Sequence, residues 1–199
     1  MSDILWKTNK TLTKNVLDYL GETFPAQIGR GLYGRVYWLR KQRNRVLKVT
    51  TDKSDAQACM HVLQRPQKYL VRVYDVFEIK SNAVYGIVAE KLTPLSASEN
   101  ITWATSQALE DSSPLPLSDY ADGLCREWID AYQNYLKEEG ERLPPFIFQQ
   151  MYLWAEELAR LDIVYWDLHE GNIMKRGNQT ILVDLGYSDP PPIQIPVLP

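Results

Sequence analysis

A short stretch near the end of the chain places three oxygen-bearing side chains around two strand-like runs. Asp167 and Asn172 share one loop, and Asp184 follows the second run. A hairpin formed by the runs 172–175 and 180–183 would return Asp184 to the side of the other two residues. Carboxylate and amide oxygens suit Mg²⁺, and one carboxylate would be left to accept a hydroxyl proton. The alternative is a polar loop whose Asx turns serve only the backbone.

Glycines recur in the first third of the chain, in the pattern GRGLYGRV over residues 29–36. Gly29, Gly31 and Gly34 lie between two predicted strands, whereas a dinucleotide-binding fingerprint would open a helix. A glycine loop between strands favours a cover over phosphate groups. Glycines that serve only a tight turn are the alternative.

Lys48 lies 14 residues after Gly34, on a predicted strand and between aliphatic neighbours. A lysine on a central strand is costly to bury unless its ammonium group meets an anion. This position favours a contact with phosphate. A lysine on an edge strand, facing solvent, is the alternative.

Hydrophobic periodicity predicts a sheet-rich block followed by a helix-rich part. The predicted elements are a helix over 11–20 closed by Gly21, strands over 35–39 and 45–49, a helix over 54–64 with Ser54 as N-cap, strands over 70–79 and 84–90, and helices over 118–138 and 144–161. Residues 93–117 are rich in Ser, Thr and Pro and indicate a long surface connection.

Together these motifs resemble those of the protein-kinase-like superfamily: a glycine loop, a strand-three lysine, a D-L-x-x-x-N loop at 167–172 and D-L-G at 184–186. The resemblance covers about residues 26–187. It implies an α+β, two-lobed kinase-like fold with an antiparallel β N-lobe and a reduced, mostly helical C-lobe. The implied domains are an N-terminal helical extension over 1–24, an N-lobe over 25–92, a C-lobe with the catalytic and metal-binding loops over 93–189, and a proline-rich tail over 190–199.

The same resemblance implies ATP and Mg²⁺ as cofactors and assigns roles to individual residues. The nucleotide-binding residues would be Gly29, Gly31, Gly34, Val36, Lys48, Glu90 and Leu92. Of these, Glu90 and Leu92 would bind adenine through backbone groups of a hinge. Asp167 would be the catalytic base, assisted by Lys48 and His169, and the metal-binding pair would be Asn172 and Asp184.

Several residues depart from the protein-kinase pattern. Tyr165-Trp166 replaces the usual His-Arg, and the helix over 54–64 offers no glutamate for Lys48, which leaves Asp55 or Gln57 as its partner. His169 stands where protein kinases have lysine. The resulting D-L-H-x-x-N is also typical of aminoglycoside- and choline-type phosphotransferases, and short phage-encoded Ser/Thr kinases share D-x-H-x-G-N-I-M. Only 13 residues follow Gly186, so we expect a partner or a second copy to complete the platform for a protein substrate.

The sequence therefore predicts a kinase that transfers the γ-phosphoryl group of ATP to a hydroxyl, with protein Ser/Thr as the favoured acceptor. A small-molecule phosphotransferase is the first alternative, favoured by His169. A pseudokinase that acts as a binding module is the second, favoured by the missing glutamate and the missing substrate platform.

Composition limits the binding partners and the cellular compartment that we expect for the protein. With 22 basic and 25 acidic residues, the net charge of −3 predicts neither nucleic-acid nor membrane-surface binding. No signal peptide and no apolar run of about 18 residues is evident, so we expect a cytoplasmic protein with reduced Cys59 and Cys125. We expect His61 on the surface of its helix, and the tail extended and without fixed structure.

Overall fold

The computed structural model describes residues 10–22, 26–79, 83–99, 145–165, 167–186 and 188–198. The predicted helix over 118–138 and most of the connection over 93–117 lie outside these residues. The described helices are α1 (Lys10–Tyr19), α2 (Lys53–Gln64), α3 (Pro145–Ala159) and a 3₁₀ turn at Glu170–Asn172. The described strands are β1 (Ala26–Arg30), β2 (Gly34–Trp38), β3 (Arg45–Thr50), β4 (Val73–Ile79), β5 (Val84–Glu90), β6 (Thr93–Pro94), β7 (Val164–Tyr165), β8 (Ile173–Arg176), β9 (Gln179–Leu182) and β10 (Ser188–Asp189).

The first five strands form one antiparallel sheet in the order β1-β2-β3-β5-β4. β3 and β5 lie inside the sheet, and every residue of β5 is buried. Lys48 pairs with Val36 on one neighbouring strand and with Ile87 on the other. Lys48 therefore lies on a central strand, and the edge-strand alternative is wrong.

Helix α1 covers one face of this sheet. Val16 of α1 packs in a cluster that includes Leu47 and Phe77. The ring of Tyr19 meets Phe77 edge-on at 5.2 Å between centroids, and its hydroxyl donates to Asp75 Oδ2 at 3.0 Å. Gly21 follows at φ +64°, a conformation that glycine adopts without strain, and the predicted helix end is confirmed.

The other face of the sheet belongs to a larger core that includes α2, α3 and the β8–β9 hairpin. Ala56, Ile87, Trp154 and Leu182 are buried members of this core. Two smaller sheets, β6-β8-β9 and β10-β7, contain the remaining described strands. The fold thus contains both helices and strands, and the antiparallel sheet in its N-terminal region is compatible with a kinase-like N-lobe. α3 is one helix of the expected C-lobe, whose mostly helical character stays a prediction.

Two charged side chains tie the β8–β9 hairpin and α3 to the loop that precedes β4. Glu157 of α3 accepts hydrogen bonds from the backbone N–H groups of Lys68 at 2.8 Å and Tyr69 at 2.6 Å. Arg176, at the end of β8, binds the carboxylate of Glu90 with its planar fork and donates to the Lys68 carbonyl at 2.7 Å. Glu90 also accepts from the N–H of Arg72 at 2.7 Å. These bonds satisfy buried charges with fixed partners.

The start of α2 differs from the prediction. Asp52, not Ser54, is the N-cap: its Oδ1 accepts from the N–H groups of Ser54 at 2.9 Å and Asp55 at 3.4 Å. The helix therefore begins at Lys53. Both residue types cap helices well, and the longer carboxylate reaches two amide groups at once.

The prediction for His61 was wrong, and the prediction for the proline-rich tail was wrong in part. His61 is only 8% exposed, and its Nε2 lies 2.8 Å from the carbonyl oxygen of Pro191. The tail is extended, as predicted, but it is packed: Ile195 and Leu198 are buried, and the N–H of Leu198 donates to the Glu78 carbonyl at 2.8 Å. Prolines lack an N–H donor, but their carbonyl groups still accept hydrogen bonds, which the local pattern does not reveal.

Among the described residues, no helix combines the length and the apolar character that crossing a membrane requires.

Gly86 provides a test of the sheet's packing. A Cβ atom at this position would lie 2.3 Å from Cε2 of Phe77, so we expect Gly86→Ala to lower the free energy of unfolding by about 1–3 kcal/mol. Urea unfolding measures the loss, and Phe77→Leu in the same chain should recover part of it. Gly31→Ala is the control, because nothing lies within 4 Å of the added atom. Equal stability of Gly86→Ala and the unaltered chain would contradict this packing.

Candidate active site

Lys48 holds the centre of the candidate site. Its Nζ lies 2.8 Å from Asp55 Oδ2 and 2.7 Å from Asp184 Oδ1. Asp55 comes from the first turn of α2, and Asp184 follows β9, so one ammonium group joins the sheet, the helix and the D-L-G segment. Of the two candidate partners, Asp55 forms the ion pair, while the side chain of Gln57 donates to the carbonyl of Ile193 at 3.4 Å.

The electrostatics of this trio follow from burial and from the opposed charges. Burial alone would lower the pKa of Lys48, but Asp55 and Asp184 outweigh it and raise that pKa. Burial raises the pKa of Asp55 to about 6 against the opposing effect of Lys48. Burial would also raise the pKa of Asp184, but Lys48 and the N–H of Gly186 reverse the direction and lower it. At neutral pH two carboxylates face one ammonium group, which leaves a net negative charge suited to a cation.

The loop that carries Asp167 is closed by hydrogen bonds of its own side chains. The Tyr165 hydroxyl donates to the Asp167 carbonyl at 2.7 Å. The Nδ2 group of Asn172 donates to the same carbonyl at 2.8 Å and to Asp167 Oδ2 at 2.9 Å. The carboxylate of Asp167 is therefore oriented, yet the side chain stays 43% exposed. Such a group can accept a proton from an incoming hydroxyl.

His169 both braces this loop and faces its carboxylate. Its Nδ1 accepts the N–H of Gly171 at 3.0 Å, so the neutral ring carries its proton on Nε2. Nε2 lies 3.6 Å from Asp167 Oδ2, too far for a direct hydrogen bond but close enough for electrostatic attraction. A Cβ atom at position 171 would lie 2.7 Å from Cε1 of His169, so only glycine allows this approach.

The β8–β9 hairpin brings the predicted metal-binding pair to one end of the structure. The N–H of Val183 donates to the Asn172 carbonyl at 2.9 Å, which places Asp184 one residue beyond that contact. Asp184 Oδ1 also accepts from the N–H of Gly186 at 3.0 Å. A Cβ atom on Gly186 would approach Asp52 Oδ2 to 2.9 Å, so the glycine lets the chain pass close to the carboxylates.

The donor atoms of this pair fit Mg²⁺ in a site that the protein supplies only in part. The Nδ2 group of Asn172 donates hydrogen bonds, so its Oδ1 is the atom that could bind a metal ion. The second candidate ligand atom is Asp184 Oδ2, which lies outside the ion pair with Lys48. In the part of the chain described, no group of three or more His, Cys, Asp or Glu residues forms a metal cage. Mg²⁺ commonly takes one or two protein ligands and completes its shell with phosphate and water. The pair therefore fits a nucleotide-bound magnesium ion.

The glycine loop and the hinge lie on the sheet that carries Lys48. The N–H of Gly31 donates to the Gly34 carbonyl at 2.9 Å and closes the turn between β1 and β2. Val36 is the cross-strand partner of Lys48, and Val46 is that of Ala89. Because cross-strand partners share a face of the sheet, these side chains lie on the same face as the ammonium group.

The hydrogen bonds of Glu90 limit how this predicted hinge residue could contact adenine. Its N–H already donates to the Arg72 carbonyl at 2.9 Å, and its carboxylate binds Arg176. An adenine contact of Glu90 would therefore fall to its carbonyl oxygen. Leu92 is partly buried against the larger core, and its expected contact with adenine stays a prediction.

The structure brings the sequence-predicted residues together in two groups. Lys48 and Asp184 are in direct contact, Asp167, His169 and Asn172 share the closed loop, and the β8–β9 hairpin links the groups. Sequence reasoning gave no role to Tyr165 or to Val46. Their signals were present: an aromatic hydroxyl two residues before Asp167, and an apolar residue two positions before Lys48 on the same strand face.

No protein-family model matches the chain, and no curated protein matches it. Solved structures do match. A thermostable mutant of aminoglycoside phosphotransferase APH(4)-Ia, in its apo form, gives a TM-score of 0.46 at 14% identity over 88% of this chain and 71% of that one. A thermostable mutant of the same enzyme in a ternary complex with AMP-PNP and hygromycin B gives 0.46 at 15% identity, over 88% and 70%. The PK-1 kinase of Cydia pomonella granulovirus gives 0.47 at 13% identity, over 89% and 58%. By name these are phosphotransferases or kinases.

Lys48→Met should destabilise the protein, because it removes the charge partner of a buried carboxylate. Without the ammonium group, Asp55, only 1% exposed, would be left with no charge partner and beside Asp184. We expect the free energy of unfolding to fall by about 3–5 kcal/mol, and Asp55→Asn in the same chain to recover a large part of it. Urea unfolding at pH 7 measures both changes. A Lys48→Met variant as stable as the unaltered chain would show that the ion pair does not hold these elements together.

Proposed function

We propose that the protein is an ATP- and Mg²⁺-dependent phosphotransferase that moves the γ-phosphoryl group to a hydroxyl. The observation that carries the proposal is the position of Lys48 between Asp55 and Asp184, joined through the hairpin to the loop of Asp167 and Asn172. Cation, phosphate anchor and proton acceptor are the three parts that this reaction needs. The side chains that we propose for these parts lie on elements connected by the β8–β9 hairpin.

Each residue group has a part in the proposed step. Lys48 would bind the α- and β-phosphates, under the turn formed by Gly31 and Gly34. Asn172 and Asp184 would hold Mg²⁺, which neutralises phosphate charge when bound. The acceptor oxygen forms a bond to the γ-phosphorus as the bond from that atom to the bridging oxygen of ADP breaks. The hydroxyl proton passes to Asp167, whose Oδ1 is left for this purpose because Oδ2 accepts from Asn172.

One of the two arguments for a pseudokinase is weakened by the ion pair of Lys48. That argument was the missing glutamate of the second helix, and Asp55 fills the place with an ion pair of 2.8 Å. A binding module without turnover would not need the oriented carboxylate of Asp167 as well. We therefore favour catalysis over binding alone.

A protein Ser/Thr hydroxyl is our proposed acceptor. The carboxylate of Asp167 is 43% exposed, which leaves it open to an acceptor carried on a large molecule. A protein partner or a second copy of the chain would supply the rest of the substrate platform. A small hydroxylated molecule is the second candidate, favoured by His169 in the D-L-H-x-x-N loop.

Labelled ATP distinguishes these possibilities. The purified chain is incubated with γ-labelled ATP and Mg²⁺, with and without cell lysate. Labelled protein supports the proposed acceptor, and labelled small molecules support the second candidate. ATP binding without transfer to either would overturn the proposal in favour of a pseudokinase.

The two carboxylates should differ in their effects on that reaction. Asp167→Asn should lower turnover by about 10²–10⁴ with little change in ATP affinity, because the residue acts on the acceptor. Asp184→Asn should abolish transfer and also weaken the affinity for Mg²⁺·ATP. Asp18→Asn, on the exposed side of α1, is the matched control and should behave as the unaltered chain. Normal turnover in either active-site variant would remove that residue from the mechanism.

Two substitutions separate the two functions of His169. Asn can replace the Nδ1 acceptor for Gly171 but not the N–H donor at Nε2, whereas Lys brings a donor group without that acceptor. If the ring stabilises the transferred phosphoryl group, His169→Asn should keep its thermal stability and lose turnover by about 10²-fold. His169→Lys should retain more turnover and lose about 1 kcal/mol of stability. The opposite order of turnover would show that bracing the loop is the more important function.

A further inference from the structure

The proline-rich segment, residues 188–198, runs from the catalytic loop to the far edge of the sheet. It begins as β10, which pairs with β7 just before the loop of Asp167. It ends beside β4, where the N–H of Glu78 donates to the Pro196 carbonyl at 2.8 Å. Between these ends it lies along α2. One short segment thus contacts α2, β4 and the strand that leads into the loop of Asp167.

Its contacts with α2 fall on one face of that helix. The Nε2–H of His61 donates to the Pro191 carbonyl at 2.8 Å, and Nε2 of Gln57 donates to the Ile193 carbonyl at 3.4 Å. Residues four apart share a helix face. Ile195, buried to 7% exposure, adds an apolar contact to the larger core that includes α2.

Asp55 lies on the opposite face of the same helix. At 100° per residue, Gln57 and His61 are rotated by about 200° and 240° from Asp55. Cys59, four residues after Asp55, shares its face, and its Sγ lies 3.8 Å from Asp55 Oδ1. Helix α2 is therefore held between the sheet, which it meets through Asp55, and the proline-rich segment, which it meets through His61.

We propose that the proline-rich segment positions the active site by pressing α2 against the sheet, so that Asp55 reaches Lys48. This role rests on the proposed function, since it concerns the lysine that would bind phosphate. His61 and Ile195 are the positioning residues, because they act on Lys48 only through α2. The segment is well suited to the task, because its prolines restrict the extended backbone before it docks.

The test uses the full chain with Cys125→Ser, so that Cys59 is the only cysteine left. Ile195→Ser removes a buried contact of the segment, and Val197→Ser, at a position 48% exposed, is the matched control. The first measurement is the rate at which a thiol reagent modifies Cys59, which faces away from the segment. The second is the affinity for AMP-PNP with Mg²⁺. If the segment merely covers α2, loosening it would expose His61 but leave Cys59 protected.

We expect Ile195→Ser to raise the rate of Cys59 modification and to weaken AMP-PNP binding, each by about tenfold, with the control within about twofold. In a chain that also carries Asp55→Asn, Ile195→Ser should cause little further loss of affinity, because its effect passes through that residue. Should Ile195→Ser fail to fold, His61→Leu removes the bond to Pro191 at similar bulk and should raise Cys59 modification several-fold.

Unchanged Cys59 modification and AMP-PNP affinity in a folded Ile195→Ser or His61→Leu chain would overturn the proposal. So would equal losses of affinity with and without Asp55→Asn. If Ile195→Ser or His61→Leu raises the rate of Cys59 modification but the unaltered chain binds no AMP-PNP, the result would support the bracing of α2 and overturn the proposed function.

Discussion

The ion pairs of Lys48 set the geometry on which the rest of the site depends. Its ammonium group lies on the central strand β3 and binds one carboxylate from α2 and another from the segment after β9. Asp55 is almost fully buried, and a carboxylate in that position is tolerated only with a charge partner at contact distance. The sheet, the helix and the hairpin end are therefore fixed relative to each other by one positive charge.

A second set of buried charges holds the β8–β9 hairpin against the sheet. Glu157 binds backbone amides of the loop before β4, and Arg176 joins the same loop to Glu90 at the end of β5. Hydrogen bonds to charged groups are stronger than neutral ones and are directional. The hinge expected to bind adenine and the hairpin that carries Asn172 are thus connected through Arg176, apart from the Lys48 trio.

Local sequence patterns were sufficient for the hairpins, the strand of Lys48 and the loop that Asp167 shares with Asn172. Each of these depends on a short period or on a turn, such as Gly177 at φ +61° between β8 and β9. The packing of the proline-rich segment could not be predicted, because it depends on carbonyl acceptors that meet residues 130 positions away. The choice of Asp55 over Gln57 likewise required the rotation of α2, which the cap at Asp52 fixes.

The two partners of Lys48 differ in a way that matters for nucleotide binding. Asp55 is 1% exposed and has no route to another cation, whereas Asp184 is 38% exposed and keeps Oδ2 outside the ion pair. Releasing a buried carboxylate costs far more than releasing one that water can reach. In the reaction that we propose, Asp184 would therefore be the partner that turns toward a magnesium ion when phosphate approaches Lys48, while Asp55 would keep the lysine in place. One carboxylate positions the lysine, and the other is free to exchange its ligand.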